Sequence, residues 1–188
     1  MAQTPGDWEG VVTTLVEQRG PSLQRYAWLL CGDRDDAADL VQDALVKVFG
    51  RLGNGFSAGG AEAYVRRTIL TLFLDRTRRR RLWHRVAHLH VTPEAVDSAT
   101  PASEARIDLA ASLARLAPRE RACLVLRYYE DLKIDDIATE LGISSGAVKR
   151  YVSDGLARLA VVIGPAGTPP ATQTTTPPLT GGQRAHRS

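Results

Sequence analysis

Cysteine is nearly missing: the 188 residues hold two, Cys31 and Cys123. They are too few and too far apart for a disulfide scaffold or a zinc knuckle, and both lie in or beside apolar stretches, where small core residues belong. A reducing, cytoplasmic setting fits that usage. Eighteen consecutive apolar residues occur nowhere, so the sequence reads as one without a membrane span. The opening MAQTPGDWEG has neither a basic start nor an apolar stretch, and so reads as no signal peptide. Lysine is scarce: of 24 basic residues three are Lys and the rest Arg. No strand-like alternation of any length occurs, and no repeat of solenoid period.

What is present is ordinary in bulk and uneven in detail. Hydrophobic residues make up 44% and charged residues 24%, as in globular proteins, and the length suits two small domains or one medium domain. The net charge of +3 hides a local +7 between Arg66 and Arg85, where eight arginines meet one acid, Asp75. Such asymmetry points to a polyanion on one part of the surface. Arginine forks match phosphates and stack on bases better than lysine does, although a chromosome rich in G and C produces the same bias.

Helical periodicity organises the chain. Val11 to Leu52 reads as helices interrupted at Gly32-Asp33, with Leu15, Leu23, Tyr26, Ala27 and Leu30 and then Ala37, Leu40, Val41, Ala44, Leu45 and Val48 as apolar sides. Gly50 to Gly60 holds five glycines and reads as a loop. A third helix is expected from about Ala61 to Trp83, its apolar side Tyr64, Val65, Ile69, Leu72 and Phe73. Periodicity fails between Val86 and Pro101, which includes Pro93, so a linker is expected there. A second helical block follows from Ser103 to Ile163, broken near Pro118, Asp131 and Gly142. The segment from Gly164 onward, with five prolines and six threonines, cannot build a core and reads as a disordered tail. The expected organisation is all-α: a first domain over 5–85, a flexible linker over 86–102, a second domain over 103–163 and a tail over 164–188.

The most specific motif lies in the second block. Ile134, Ile137, Ala138 and Leu141 form one apolar side of a short helix, and Gly142 stands where a tight turn needs positive φ. Ile143 plugs the corner, and Ser144 or Ser145 can cap the next helix, whose apolar side is Val148, Val152, Leu156 and Leu159. That pattern fits a helix-turn-helix. The second helix then turns Ser145, Gly146, Lys149, Arg150 and Ser153 outward, a compact and partly basic surface suited to a major groove. The plainer reading is a helical hairpin with a solvated face, which would not require small Ala138, Gly142 in the turn and an inward Val148 together.

In the first block Asp36, Asp39 and Asp43 share one helix side. A catalytic metal site would need carboxylates converging from several elements, which one helix side does not supply. A solvated surface or a basic partner fits better. His84, His88 and His90 lie among arginines that repel a cation, so no metal is expected, and no catalytic residue or cofactor. The arginine run favours a helix C-terminus, and with Tyr64, Phe73 and Trp83 nearby it offers a platform for single strands. Periodicity, however, assigns Tyr64 and Phe73 to the core.

Three segments together resemble a known family. DDAADLVQDALVKVF (Asp35 to Phe49) resembles the polymerase-binding helix of bacterial sigma factors. AYVRRTILTLFLDRTRRRR (Ala63 to Arg81) resembles their promoter-melting helix, and Leu116 to Leu159 resembles their upstream-element domain. The short linker without an extra domain resembles the extracytoplasmic-function (ECF) group. The resemblance implies a non-enzymatic protein that binds core RNA polymerase, through the clamp helices of the largest subunit and the flap, and guides it to promoter DNA. It implies Asp36, Asp39, Leu40, Gln42 and Asp43 as the polymerase-binding surface. It implies Asn54, Phe56, Ser57, Tyr64, Arg66, Arg67, Asp75, Arg76, Arg78, Arg79 and Arg80 at the downstream element and its single strand. Ser144, Ser145, Gly146, Lys149, Arg150 and Ser153 would face the upstream element. An anti-sigma factor is a further implied partner. The sequence departs from the family pattern at Tyr64, Thr71 and Ala147, where Trp, Asn and Thr are frequent, and in its glycine-rich loop. The alternative is a stand-alone helix-turn-helix regulator, which leaves the acidic and arginine-rich helices without a role.

Overall fold

The structure is a computed structural model and describes residues 8–50, 58–86 and 109–163. Every regular element among them is helical. The first block holds α1 (Trp8–Cys31), α2 (Arg34–Phe49) and α3 (Ala58–Val86). The second holds α4, the helical residues 109–114, then α5 (Pro118–Leu124), α6 (Ile134–Leu141) and α7 (Ser145–Ile163). A π-helical turn, Val125–Tyr129, continues α5. The expected tail and all of the expected linker beyond Val86 lie outside the described residues.

Helix α1 runs through Pro21, which can donate no backbone hydrogen bond to the turn before it. Burial holds the helix together there: Leu23, Tyr26, Ala27 and Leu30 are all fully enclosed, and each of the two leucines contributes roughly 1.5–3 kcal/mol. The chain then turns at Gly32, whose φ is 83°. Asp33 caps α2, accepting from the backbone N–H groups of Asp35 and Asp36, both at 2.8 Å. Those two acids sit in the first turn, where the helix dipole favours negative charge.

Helix α3 begins at Ala58, three residues before the expected start, and continues past Trp83. Buried Ala61 anchors the first turn. Val65, Ile69 and Phe73, four residues apart, are its buried line. Tyr64, expected on the apolar side, is 44% exposed. It lies one position off that line, on a neighbouring ridge with Arg67, Thr71 and Arg78.

The second block is built around the helix-turn-helix. Pro118 opens α5, where a missing N–H costs nothing. Gly142 ends α6 with φ 61°. The Ile143 N–H then donates to Ala138 O at 3.0 Å. Ser144 caps α7, its Oγ accepting from the Ala147 N–H at 3.2 Å. Val148 is fully buried, but Leu156, expected beside it, is exposed. Gly155 takes that packing place: a Cβ there would stand 3.0 Å from the Leu124 side chain. One buried cluster runs from α1, α2 and α3 into α5, α6 and α7.

Candidate nucleic-acid interface

The outer side of α2 carries the acids. Asp35, Asp39, Gln42 and Asp43 are exposed and Asp36 is half-buried, because Ala37, Leu40, Val41, Ala44 and Val48 claim the inner side. Leu40, expected on the partner surface, is 0% exposed. It lies three residues after Ala37 and four before Ala44, on the buried stripe, and so belongs to the core rather than to that surface.

The arginines of α3 flank these acids. Arg76 Nη2 lies 2.5 Å from Asp43 Oδ2 and Arg80 Nη2 lies 3.8 Å from Asp36 Oδ2. Arg78 pairs with Asp75 at 3.1 Å, one turn back on α3, and Arg67 stands 3.9 Å from Glu140 of α6. Arg79 is exposed and forms no ion pair among the described residues. The local charge counted in the sequence is thus largely met within the chain. These pairs are mostly solvated, and each contributes about 0–1 kcal/mol, so a polyanion can replace the acids.

Arg66 has a different setting. Its guanidinium donates to Glu62 Oε1 (3.2 and 3.1 Å), to Ser22 Oγ (2.7 Å) and to Glu130 of the second block, and it lies over the Tyr26 ring. Burial pushes the Glu130 carboxyl above its usual range, against the pull of Arg66, with Glu62 adding to the rise.

On the helix-turn-helix, Gly146, Lys149, Arg150 and Ser153 are exposed along α7, next to the cap residue Ser144. Ser145 donates to Asp135 Oδ1 at 2.6 Å, which ties the start of α7 to the first turn of α6. The Arg150 guanidinium lies 5.5 Å from the Tyr151 ring centroid. This places a short basic strip on one rigid helix, at a width a major groove admits. The loop residues Asn54, Phe56 and Ser57 lie outside the described residues, as do His88 and His90.

No cluster of His, Cys, Asp and Glu that could hold a metal occurs among the described residues. No described helix is long and apolar enough to cross a membrane. Cys123 is buried and Cys31 half-buried, and both are free. Burial pushes the Cys123 thiol up to about 11 and the Cys31 thiol to about 12, Asp36 adding to the latter.

Sequence reasoning missed Arg121, 7% exposed among the arginines of the second block. It donates to Leu30 O (2.6 Å), Cys31 O (3.3 Å), Leu116 O (3.3 Å) and Ala114 O. Burial lowers its pKa to about 10. One signal was available: Arg121 is the last charged residue before the apolar run Ala122 to Leu126 and lies four residues before Val125 and three before Leu124, on the side that helical spacing turns inward. Also unforeseen is a groove of about 550 Å³ between α3 and the second block, lined by Leu70, Leu74, Arg78, Arg81, Arg119 and Tyr151 among others.

Comparison with known proteins agrees with both blocks. Residues 15–82 match Sigma-70 region 2, and residues 106–159 match Sigma-70, region 4. The RNA polymerase sigma-E factor of Streptomyces avermitilis is 35% identical over 144 residues, covering 77% of this chain and 80% of that protein. The ECF RNA polymerase sigma factor SigE of Mycolicibacterium smegmatis is 33% identical over 156 residues, covering 77% of this chain and 58% of its own. Among solved structures, the sigma factor RpoE of Bartonella quintana, in complex with the anti-sigma factor NepR, superposes with a TM-score of 0.62 at 23% identity, over 84% of this chain and 96% of that one. CnrH, in complex with the cytosolic domain of CnrY, gives 0.56 at 21% identity, over 84% and 90%. With a region 2 block, a region 4 block and curated relatives covering most of its length, the chain belongs to the sigma-70 family as an ECF RNA polymerase sigma factor, with a role in transcription initiation.

Proposed function

We propose that this sigma factor grips the clamp helices of the polymerase largest subunit with Asp36, Asp39, Gln42 and Asp43, and melts the downstream promoter element along α3. The region 4 block would meet the flap and read the upstream element with α7. In this reading 5–85 and 103–163 are the working domains and 86–102 joins them. Asn54, Phe56 and Ser57 would hold a base of the melted strand. Tyr64, Arg66, Arg67, Asp75, Arg76, Arg78, Arg79 and Arg80 would line its path, and Ser144, Ser145, Gly146, Lys149, Arg150 and Ser153 would face duplex DNA. The chain itself catalyses nothing; it lends promoter choice to an enzyme.

One observation carries the reading: the acids of α2 and the arginines of α3 occupy adjoining surfaces, in one chain with a helix-turn-helix exposing Lys149 and Arg150. A stand-alone regulator would have no use for that pair of surfaces. An anti-sigma protein is included among the partners because RpoE was solved with one. The deciding experiment is a pull-down with core polymerase, followed by transcription from a promoter library. Retention on core enzyme and a defined set of start sites are expected. Duplex DNA binding without retention on polymerase would replace this reading with the stand-alone regulator.

A further inference from the structure

We propose that this chain closes on itself without a partner, the second block clamping α1 and α3 through Glu130 and Arg121 and so withholding the Arg66 side of α3 from single-stranded DNA. The DNA half of this proposal rests on the function proposed above; the closure does not.

Two contacts make the clamp. At the first, Arg66 has four of its N–H groups directed to Glu62, Ser22 and Glu130, and a guanidinium has five. Little remains for a phosphate fork. Tyr129, next to Glu130, stacks on Tyr26 at 6.4 Å between centroids and donates to Ser22 O at 3.4 Å. At the second, Arg121 crosses from the second block to cap α1. Its Nη1 serves the carbonyls of Leu30 and Cys31, where the dipole is negative, while Nη2 holds Leu116 and Ala114 of its own block. The same guanidinium lies 5.7 Å from the Phe73 ring centroid of α3. Beside it Gly32 admits Ala114 so closely that a Cβ on Gly32 would stand 2.6 Å from the Ala114 Cβ.

Closure covers one DNA surface and spares the other. Arg66 is 20% exposed and Glu130 17%, whereas Lys149 and Arg150 face solvent. The clamp is also built to yield. A part-buried ion pair costs much of its attraction in lost hydration, and burial rather than Arg66 dominates the Glu130 carboxyl. The pair therefore sets geometry more than strength. A neutral isostere, Glu130→Gln, should leave the chain closed, whereas Glu130→Lys puts like charge against Arg66 and should open it.

An open form populated at about 10% or less lowers apparent affinity by that fraction. Opening should therefore raise single-strand affinity about tenfold or more. The test uses the full chain as wild type, Glu130→Lys and Glu130→Gln. Backbone NMR relaxation reads closure, a fluorescent single-stranded oligonucleotide reads binding, and circular dichroism reads folding. Expected are one rotational correlation time shared by α3 and α7 in wild type and in Glu130→Gln, two shorter ones in Glu130→Lys, and the affinity gain in Glu130→Lys alone. Two independent correlation times in wild type would overturn closure, whatever the variants do. Unchanged affinity in an opened chain would overturn the withholding. If Glu130→Lys loses helical signal, Ala114→Trp, a bulky group against Gly32, opens the blocks by sterics and decides the second point. Promoter-directed transcription by wild type with core polymerase is measured alongside. Its absence, with correlation times as expected, would count against the proposed function and leave the closure standing.

Discussion

Arg76 Nη2 lies 2.5 Å from Asp43 Oδ2 across the seam between α3 and α2. The acid assigned to polymerase and the arginine assigned to DNA are thus partners in the free chain, as are Asp36 and Arg80. Asp39 is exposed and forms no ion pair among the described residues. Of the three acids proposed to meet polymerase, it is the one whose charge has no partner to leave among the described residues. Asp39→Lys should weaken core polymerase binding at least about tenfold, or 1.4 kcal/mol, because like charges set against each other across an interface cost several kcal/mol. Helicity should not change. Titration of labelled core enzyme checks this, and equal affinity would remove Asp39 from the surface.

Leu40 separates support from contact on the same helix. As a fully buried side chain, its truncation to Ala should cost about 2–5 kcal/mol of stability. Asp39→Lys should stay within about 0.5 kcal/mol, as exposed substitutions do. Urea unfolding of both variants measures the contrast. A mild effect of Leu40→Ala, with polymerase binding lost, would return Leu40 to the interface.

The architecture was legible because local signals agreed with each other. Asp33 before the α2 stripe, Gly142 after the α6 stripe and Pro118 before α5 each mark an end the structure respects. What stayed hidden is chiefly long-range. Nothing near Arg66 in the sequence announces Glu130, and nothing near Arg121 announces the carbonyls of Leu30 and Cys31. Periodicity tells which side of a helix is buried but not what buries it. A linear charge count likewise does not show where the charge is met: arginines of the +7 segment pair with acids on α2 and α6. The misplacing of Tyr64 and Leu156 has a local cause. Both stand at the edge of an apolar stripe, where one helical step of about 100° carries a residue to solvent.

The thiols give a prediction in pH. Burial raises Cys123 to about 11 and Cys31 to about 12 from the ordinary value of 9.0. A raised pKa means the fold prefers the protonated thiol. That contribution is fully present below the ordinary thiol range and is lost as pH rises through about 11 to 12. Iodoacetamide at about pH 8 should therefore label neither cysteine in the native chain and both in urea. Rapid native labelling would show that these sites open freely.

The arginines of α3 should act after polymerase is bound. If about four of them meet phosphates, single-strand affinity should fall with salt at a log–log slope of roughly −3, from about −0.7 per charge. Arg79 has no acid to leave among the described residues, and Arg78 has only Asp75 of its own helix. Replacing both by Ala should reduce open-complex formation more than polymerase binding, as read by permanganate footprinting beside a retention assay. Equal losses would assign these arginines to the polymerase contact or to folding.

The recognition helix allows a sharper division. Lys149 and Arg150 follow directly on buried Val148, which fixes the rotation of α7 and leaves both outward. Ser145 is tied to Asp135, so the first turn of α7 is held against α6 and the outward residues keep a set height. A lysine is a point charge and serves a phosphate in any sequence, whereas an arginine fork can pair with both acceptors of a guanine edge. Arg150 is therefore expected to read sequence and Lys149 to set affinity. The Arg150 guanidinium lies 5.5 Å from the Tyr151 ring centroid, a contact that at an exposed site contributes about 0.5–1 kcal/mol and biases the orientation of the fork. Arg150→Ala should change which upstream elements are accepted, by about 1–3 kcal/mol at one base pair. Lys149→Ala should weaken all of them alike and lower the salt slope by about one. Tyr151→Leu should reduce discrimination in the same direction as Arg150→Ala, but less, since the fork survives and loses its support. Promoter-library transcription with each holoenzyme measures all three. Unchanged base preference in Arg150→Ala would move the reading role to another residue of α7.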